Sequence, residues 1–214
     1  MTMTPPEAAP LSDADRAELL AVARAAADAA REATLRWFRA DALAVEDKAA
    51  EGAAALPGFD PVTRADREAE AAMRAVIRAR RPSDAIRGEE QAATEGGPLT
   101  WVLDPVDGTR AFIAGAPTWG VLIALNDGAR PVIGLIDQPF TGERFEGVVG
   151  PDWSAATWRR GAETRALTVR PCADLSQATL FTTYPAVGAP ADRAGFEAVR
   201  DRVRMTRYGF DCYA

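Results

Sequence analysis

The chain has 214 residues, 48% hydrophobic and 26% charged, and its 25 basic against 31 acidic side chains give a net charge of −6. That length suits one large or two small domains with a core that needs no staples. The acidic balance argues against a nucleic-acid binder, and the longest apolar run, Trp119–Leu125, is too short for a bilayer.

Residues 1–11, rich in Pro, Ala and Thr, are expected to fray. Ser12 and Asp15 form a capping box, and the Ala-rich run behind them predicts one helix to about Phe38, with Leu19, Leu20, Val22, Leu35 and Phe38 among its apolar positions. Residues 41–62 carry turn residues and no period and read as a loop. A second capping box, Thr63 to Asp66, opens a helix to about Arg80 whose core face is Ala69, Met73, Val76 and Ile77. Strands are then predicted at Ala85–Gly88, Leu99–Leu103, Trp119–Leu125, Val132–Ile136 and Arg144–Val149, with Asn126-Asp127-Gly128 as a hairpin turn. Two helices followed by an antiparallel sheet predict an α+β layered fold. Beyond Pro151 come short strands at Leu167–Val169, Thr179–Thr182 and Val203–Arg207, and a helix near Asp192–Arg202. The expected organisation is a frayed 1–11, an α+β metal- and phosphate-binding domain over 12–150, and part of an α/β domain over 151–214.

There is no histidine, which excludes Ser-His-Asp and Cys-His catalysis and histidine-ligated metal sites. Cys172 and Cys212 make neither a disulfide framework nor a four-cysteine zinc site and read as small core residues. Chemistry must rest on carboxylates, hydroxyls, backbone amides, arginine or the one lysine, Lys48. The segment Trp101-Val102-Leu103-Asp104-Pro105-Val106-Asp107-Gly108-Thr109 concentrates such groups. An apolar strand delivers Asp104 to its carboxyl end, where Pro105 stops full pairing. Asp104, Asp107 and the Val106 carbonyl can converge on one hard cation, and all-oxygen ligation suits Mg²⁺ completed by a phosphate. The Gly108 and Thr109 amides would open a short helix and face an anion. The same spacing also describes an exposed turn. Gly88-Glu89-Glu90, at the end of another short strand, shifts the balance towards a metal and phosphate site.

Gly88-Glu89-Glu90, followed by that nonamer, resembles the signature of the inositol monophosphatase superfamily of Mg²⁺-dependent, lithium-sensitive phosphomonoesterases. Thr109 to Gly120, Ile136 to Pro139 and Arg207 to Tyr213 are similar to its bacterial histidinol-phosphate phosphatase branch. The resemblance implies a layered α/β/α/β/α sandwich of the inositol monophosphatase and fructose-1,6-bisphosphatase type, with the C-terminal part incomplete. It implies metal ligation by Glu89, Asp104, Asp107 and the Val106 carbonyl. Thr109 with Glu89 would orient and deprotonate the attacking water, with Asp66 as an outer acid near Thr109. Gly108 and Thr109 would cradle the phosphate. Lys48, near the metal-bound waters, and Asp211 are expected on the substrate side; Asp66 also completes a cap, and Asp211 reads equally as a core-facing polar residue.

The expected activity is Mg²⁺-dependent hydrolysis of a small phosphomonoester, L-histidinol phosphate first, with an inositol or sugar phosphate as the close alternative. Two or three Mg²⁺ ions are implied. The second site is expected to be weakened, because the family's Trp-Asp-x-Ala-type segment, which carries another ligand, does not follow Tyr213. A non-catalytic metal- or phosphate-binding fragment is the reading from another class. Haloacid-dehalogenase-type phosphatases use Asp-x-Asp-x-Thr, but here the acids stand three apart. A small phosphorylated metabolite and a second copy of the chain in a homodimer are the expected partners, with neither nucleic acid nor membrane. The first residues show neither the basic nor the apolar stretch of a secretory leader, and the cytoplasm is the expected compartment.

Overall fold

A computed structural model describes residues 11–41, 43, 45–47, 61–185 and 189–213. Residues 1–10, where fraying is expected, and Lys48 lie outside them. Helix α1 spans Asp13–Trp37, and the Ser12 side chain and the Asp15 carboxylate satisfy each other's backbone amides at its start. Its buried stripe is mostly alanine, from Ala23 and Ala26 to Ala27, Ala30 and Ala33, with Leu19 and Val22 above. Small side chains let α1 lie close against a second helix.

Beyond α1, β1 (Val45–Asp47) pairs antiparallel with β2 (Pro61–Thr63). The sequence reading of 41–62 as a loop missed this pair because three-residue strands are too short to show a period. Helix α2 (Arg64–Arg80) follows, with the Thr63–Asp66 capping box in place. Its Ala69, Met73 and Ile77 are buried as expected.

A seven-stranded sheet carries the rest of the core. It comprises β3 (Ala85–Gly88), β4 (Thr100–Asp107), β5 (Gly120–Asn126), β6 (Pro131–Gln138), β7 (Glu143–Val149), β8 (Ser154–Arg160) and β9 (Glu163–Ala166), in that spatial order. Every neighbouring pair is antiparallel except β3 and β4, which run parallel. Trp101, Leu103, Val121, Ile123, Leu125, Ile133 and Leu135 pack against α1 and α2. Residues of the opposite parity, among them Val102, Leu122, Ala124, Ile136 and Phe145, line an open apolar groove of about 590 Å³. A period-2 strand that is apolar on both faces is what a central, layered sheet requires. The architecture is α+β, helices layered on a mixed sheet.

Helix α3 (Thr109–Ile113) leads out of β4. Past the sheet, β10 (Thr179–Thr182) and β11 (Met205–Tyr208) pair in parallel across helix α4 (Pro190–Arg200), a right-sized crossover for a βαβ unit. The strand expected at Leu167–Val169 is displaced: β9 ends at Ala166, and β8 precedes it. Gly161, at φ 56°, makes the turn between them. The strand signal was hidden because β8 is built from Ser, Ala, Thr and Arg around one Trp. The division expected after Gly150 falls between β7 and β8, which are paired neighbours in one sheet. Cys172, read as a core residue, is exposed, whereas Cys212 is half-buried. Leu35, expected on the apolar face of α1, is 40% exposed.

Candidate active site

The site grows from an irregularity in β4. Asp104 pairs with Leu122 and Asp107 with Gly120, so two residues, Pro105 and Val106, oppose Val121 alone. Proline has no N–H to give to the ladder, and the extra residue is accommodated as a β-bulge. In a regular strand, residues three apart point to opposite faces. The bulge absorbs one residue and brings Asp104 and Asp107 back to the same side. The Val106 amide donates to Asp104 Oδ1 at 3.2 Å and fixes its rotamer. Gly108 then turns the chain into α3 with φ 87°. A Cβ there would meet the Thr118 carbonyl at 2.9 Å and Asp211 Oδ2 at 3.0 Å, so both the left-handed φ and the crowding demand glycine.

Glu89 follows the end of β3, which runs parallel beside β4. It shares a hydrogen bond with Asp104 and raises that carboxyl electrostatically. Burial is the larger cause, Asp107 adds to it, and together they hold the Asp104 carboxyl up at about 8. Asp66 is buried at the start of α2. Its Oδ2 accepts from the Thr63 amide at 2.9 Å and from the Thr63 hydroxyl. Burial pushes its carboxyl up, the Thr63 bonds oppose this, and Glu89 adds a smaller upward push. Capping therefore occupies Asp66, and its bearing on Glu89 is electrostatic. The Thr109 hydroxyl donates to the Val106 carbonyl at 3.1 Å.

Asp211, far away in sequence, returns to this turn beside Gly108. The next amide, Cys212 N, donates to Asp107 Oδ2 at 2.6 Å. The Cys212 thiol is pushed far up by burial and by Asp107, so it is a thiol and not a nucleophilic thiolate at neutral pH. Tyr213 closes the segment by donating to Glu143.

The expected ligands are thus gathered at one end of β3 and β4. Among the described residues, no group of three or more His, Cys, Asp or Glu side chains is arranged to cage a metal ion by itself. The acids instead approach in pairs, Glu89 with Asp104 and Asp104 with Asp107. The donor chemistry fits a hard divalent cation. The groups are all oxygen, they repel one another when charged, and a cation would offset the cost that raises Asp104. The Val106 carbonyl keeps a second lone pair beside the one used by Thr109.

Three contributors escaped the sequence reading. Glu70 and Arg74 are both buried and paired, with Arg74 Nε donating to Glu70 Oε1 at 2.7 Å. Their signal was legible: Asp66, Glu70 and Arg74 recur every four residues, flanking the apolar face of α2. The Cys212 amide had no sequence signal, since any residue but proline supplies one.

A family model described as the inositol monophosphatase family matches residues 15–213. The chain is 39% identical over 207 residues to the chloroplastic bifunctional phosphatase IMPL2 of Arabidopsis thaliana, covering 95% of this chain and 55% of that one. It is 38% identical over 164 residues to the histidinol-phosphatase of Streptomyces coelicolor, covering 75% and 58% respectively. Among solved structures, an inositol monophosphatase from Zymomonas mobilis matches with a TM-score of 0.73 and 36% identity, over 95% of this chain and 72% of that one. The chain spans a little over half the length of these two curated relatives.

Proposed function

The chain belongs to the inositol monophosphatase family, and on that premise we propose that it hydrolyses a small phosphomonoester with Mg²⁺, L-histidinol phosphate first among substrates. One observation carries the reading: the β4 bulge sets Asp104 and Asp107 on one side, within electrostatic reach of Glu89. The curated relatives named histidinol-phosphatase support the substrate.

Glu89, Asp104 and the Val106 carbonyl would hold one Mg²⁺ and Asp104 with Asp107 a neighbouring one, and such ions when bound neutralise phosphate charge and acidify water. The remaining roles belong to the chain. The Gly108 and Thr109 amides hold phosphate oxygens. The Thr109 hydroxyl, donating to Val106, offers its lone pairs to orient a water. Glu89, the exposed member of the cluster, takes the proton as that water attacks phosphorus, and the proton ends on the leaving alkoxide. Asp66 is electrostatically coupled to Glu89 and adds negative potential there. Asp211 would receive the substrate's ammonium group, and Lys48 would serve the metal-bound waters. We extend the proposal to a homodimer in the cytoplasm; no described helix is long and apolar enough to cross a membrane.

A second reading, an inositol phosphate as substrate, is favoured by the similarity to the Zymomonas mobilis enzyme. A phosphate-release screen with Mg²⁺ over histidinol phosphate, inositol 1-phosphate and a sugar bisphosphate decides. Fastest release from histidinol phosphate supports the proposal, fastest release from inositol 1-phosphate supports the second reading, and no release from any of them overturns both.

A further inference from the structure

Glu70 is the most buried acid near the site, and its partners are unusual for a residue in mid-helix. Its side chain is inaccessible to solvent. Oε2 accepts from the backbone amide of Glu90 at 2.6 Å, and Oε1 accepts from that of Gln91 at 3.1 Å. Two successive amides wrapped on one anion form a nest, here filled by the protein's own carboxylate. Arg74 completes the arrangement. It donates to Glu70 Oε1 at 2.7 Å and to the Gln91 carbonyl at 3.0 Å. Gly88 approaches the same carboxylate from the other side: a Cβ at this position would lie 2.2 Å from Glu70 Oε1. The carboxylate therefore bonds the two amides that follow Glu89 and packs closely against Gly88, which precedes it.

A surface turn of four residues has little packing of its own to define it. Glu89 is exposed, and its carboxylate must reach Asp104 across the parallel β3–β4 pair. We infer that Glu70, charge-compensated by Arg74, is a positioning residue: it seats the Gly88–Gln91 turn and so sets where Glu89 stands relative to Asp104. A buried carboxylate suits this task because charge-assisted bonds to backbone amides are short and directional. Arg74 removes the cost of burying the charge and ties the far side of the turn. The inference deepens the proposed function and rests on Glu89 being a metal ligand.

The test uses the full chain with Glu70→Gln, which keeps the shape but turns one of two acceptors into a donor. Amide hydrogen exchange at Glu90 and Gln91 should accelerate at least about 10-fold. Mn²⁺ affinity measured by calorimetry should fall about 10- to 100-fold, the range for removing a group that orients a metal ligand. The Mg²⁺ concentration for half-maximal phosphate release should rise in parallel, with KM for histidinol phosphate within about twofold of its original value. Gly88→Ala, which retains the Glu70 charge but pushes the turn off it, should reproduce the pattern and carries the test if Glu70→Gln fails to fold. Faster exchange with Mn²⁺ affinity unchanged overturns the inference, as does unchanged exchange in both variants. Glu89→Gln is the separate arm. If it leaves Mn²⁺ affinity unchanged, the assignment of Glu89 as a ligand is what fails.

Discussion

Up to β7 and beyond it, the chain spends its apolar residues differently. From α1 to β7, Leu, Ile, Val, Met and Trp side chains close on one another between two helices and a sheet. A smaller aromatic cluster of Phe38, Phe112 and Trp119 packs behind the bulged turn, with ring centroids 4.8–5.3 Å apart. From residue 151 to 213, none of the described residues is buried, although Trp153, Phe181, Tyr184, Met205 and Tyr208 are large and apolar. Asp104, Asp107, Glu89 and Asp66 all stand on elements of the first region. From the second region, Asp211 stands beside Gly108 and the Cys212 amide donates to Asp107. The candidate site thus stands where packing is dense, as precise constellations require, and the less packed region supplies contacts at its edge.

The largest expected effect falls on the shared point of the two regions. Asp107→Asn removes a charged oxygen donor while preserving the acceptor for Cys212. Phosphate release should drop by more than the ~100-fold typical of groups that only orient ligands, with the melting temperature little changed. Wild-type turnover at saturating Mg²⁺ would remove Asp107 from the ligand set. The next effect contrasts the two regions directly. Met73→Ala empties space in the core and should cost about 2–5 kcal/mol of unfolding free energy. Met205→Ala, at 48% exposure, should cost within about 0.5 kcal/mol. Equal losses in chemical denaturation would mean that the second region has a core comparable to the first. The smallest effect concerns selectivity. Asp211→Asn should lower kcat/KM for histidinol phosphate roughly 10- to 100-fold, the value of a charge-assisted bond of about 1.5–3 kcal/mol. Inositol 1-phosphate, which has no ammonium group, should be hydrolysed unchanged. A matching loss on both substrates would make Asp211 a structural support of Gly108.

Features legible in the sequence share one property: their physics is local. The capping boxes at Ser12 and Thr63 depend on residues three apart, and both helices begin where those boxes stand. The apolar runs of β4, β5 and β6 and the turn at Asn126-Asp127-Gly128 carry their own period and punctuation. The acid-bearing strand end at Glu89 already pointed to a shared site with Asp104 and Asp107, but their individual roles were readable only through resemblance, since nothing local brings β3 beside β4. Local signals failed where strands were short or polar, as at Val45–Asp47 and across β8.

By itself, the sequence determined which groups were available: no imidazole, a cluster of carboxylates, a glycine at a turn and acids at helix starts. The choice among them was tertiary. Whether residues three apart in β4 share a side depended on pairing with β5, because a bulge exists only relative to a partner strand. Whether Glu70 was a surface acid or a buried seat depended on β3 ending above α2, because a carboxylate is stable out of water only where amides and a guanidinium converge on it.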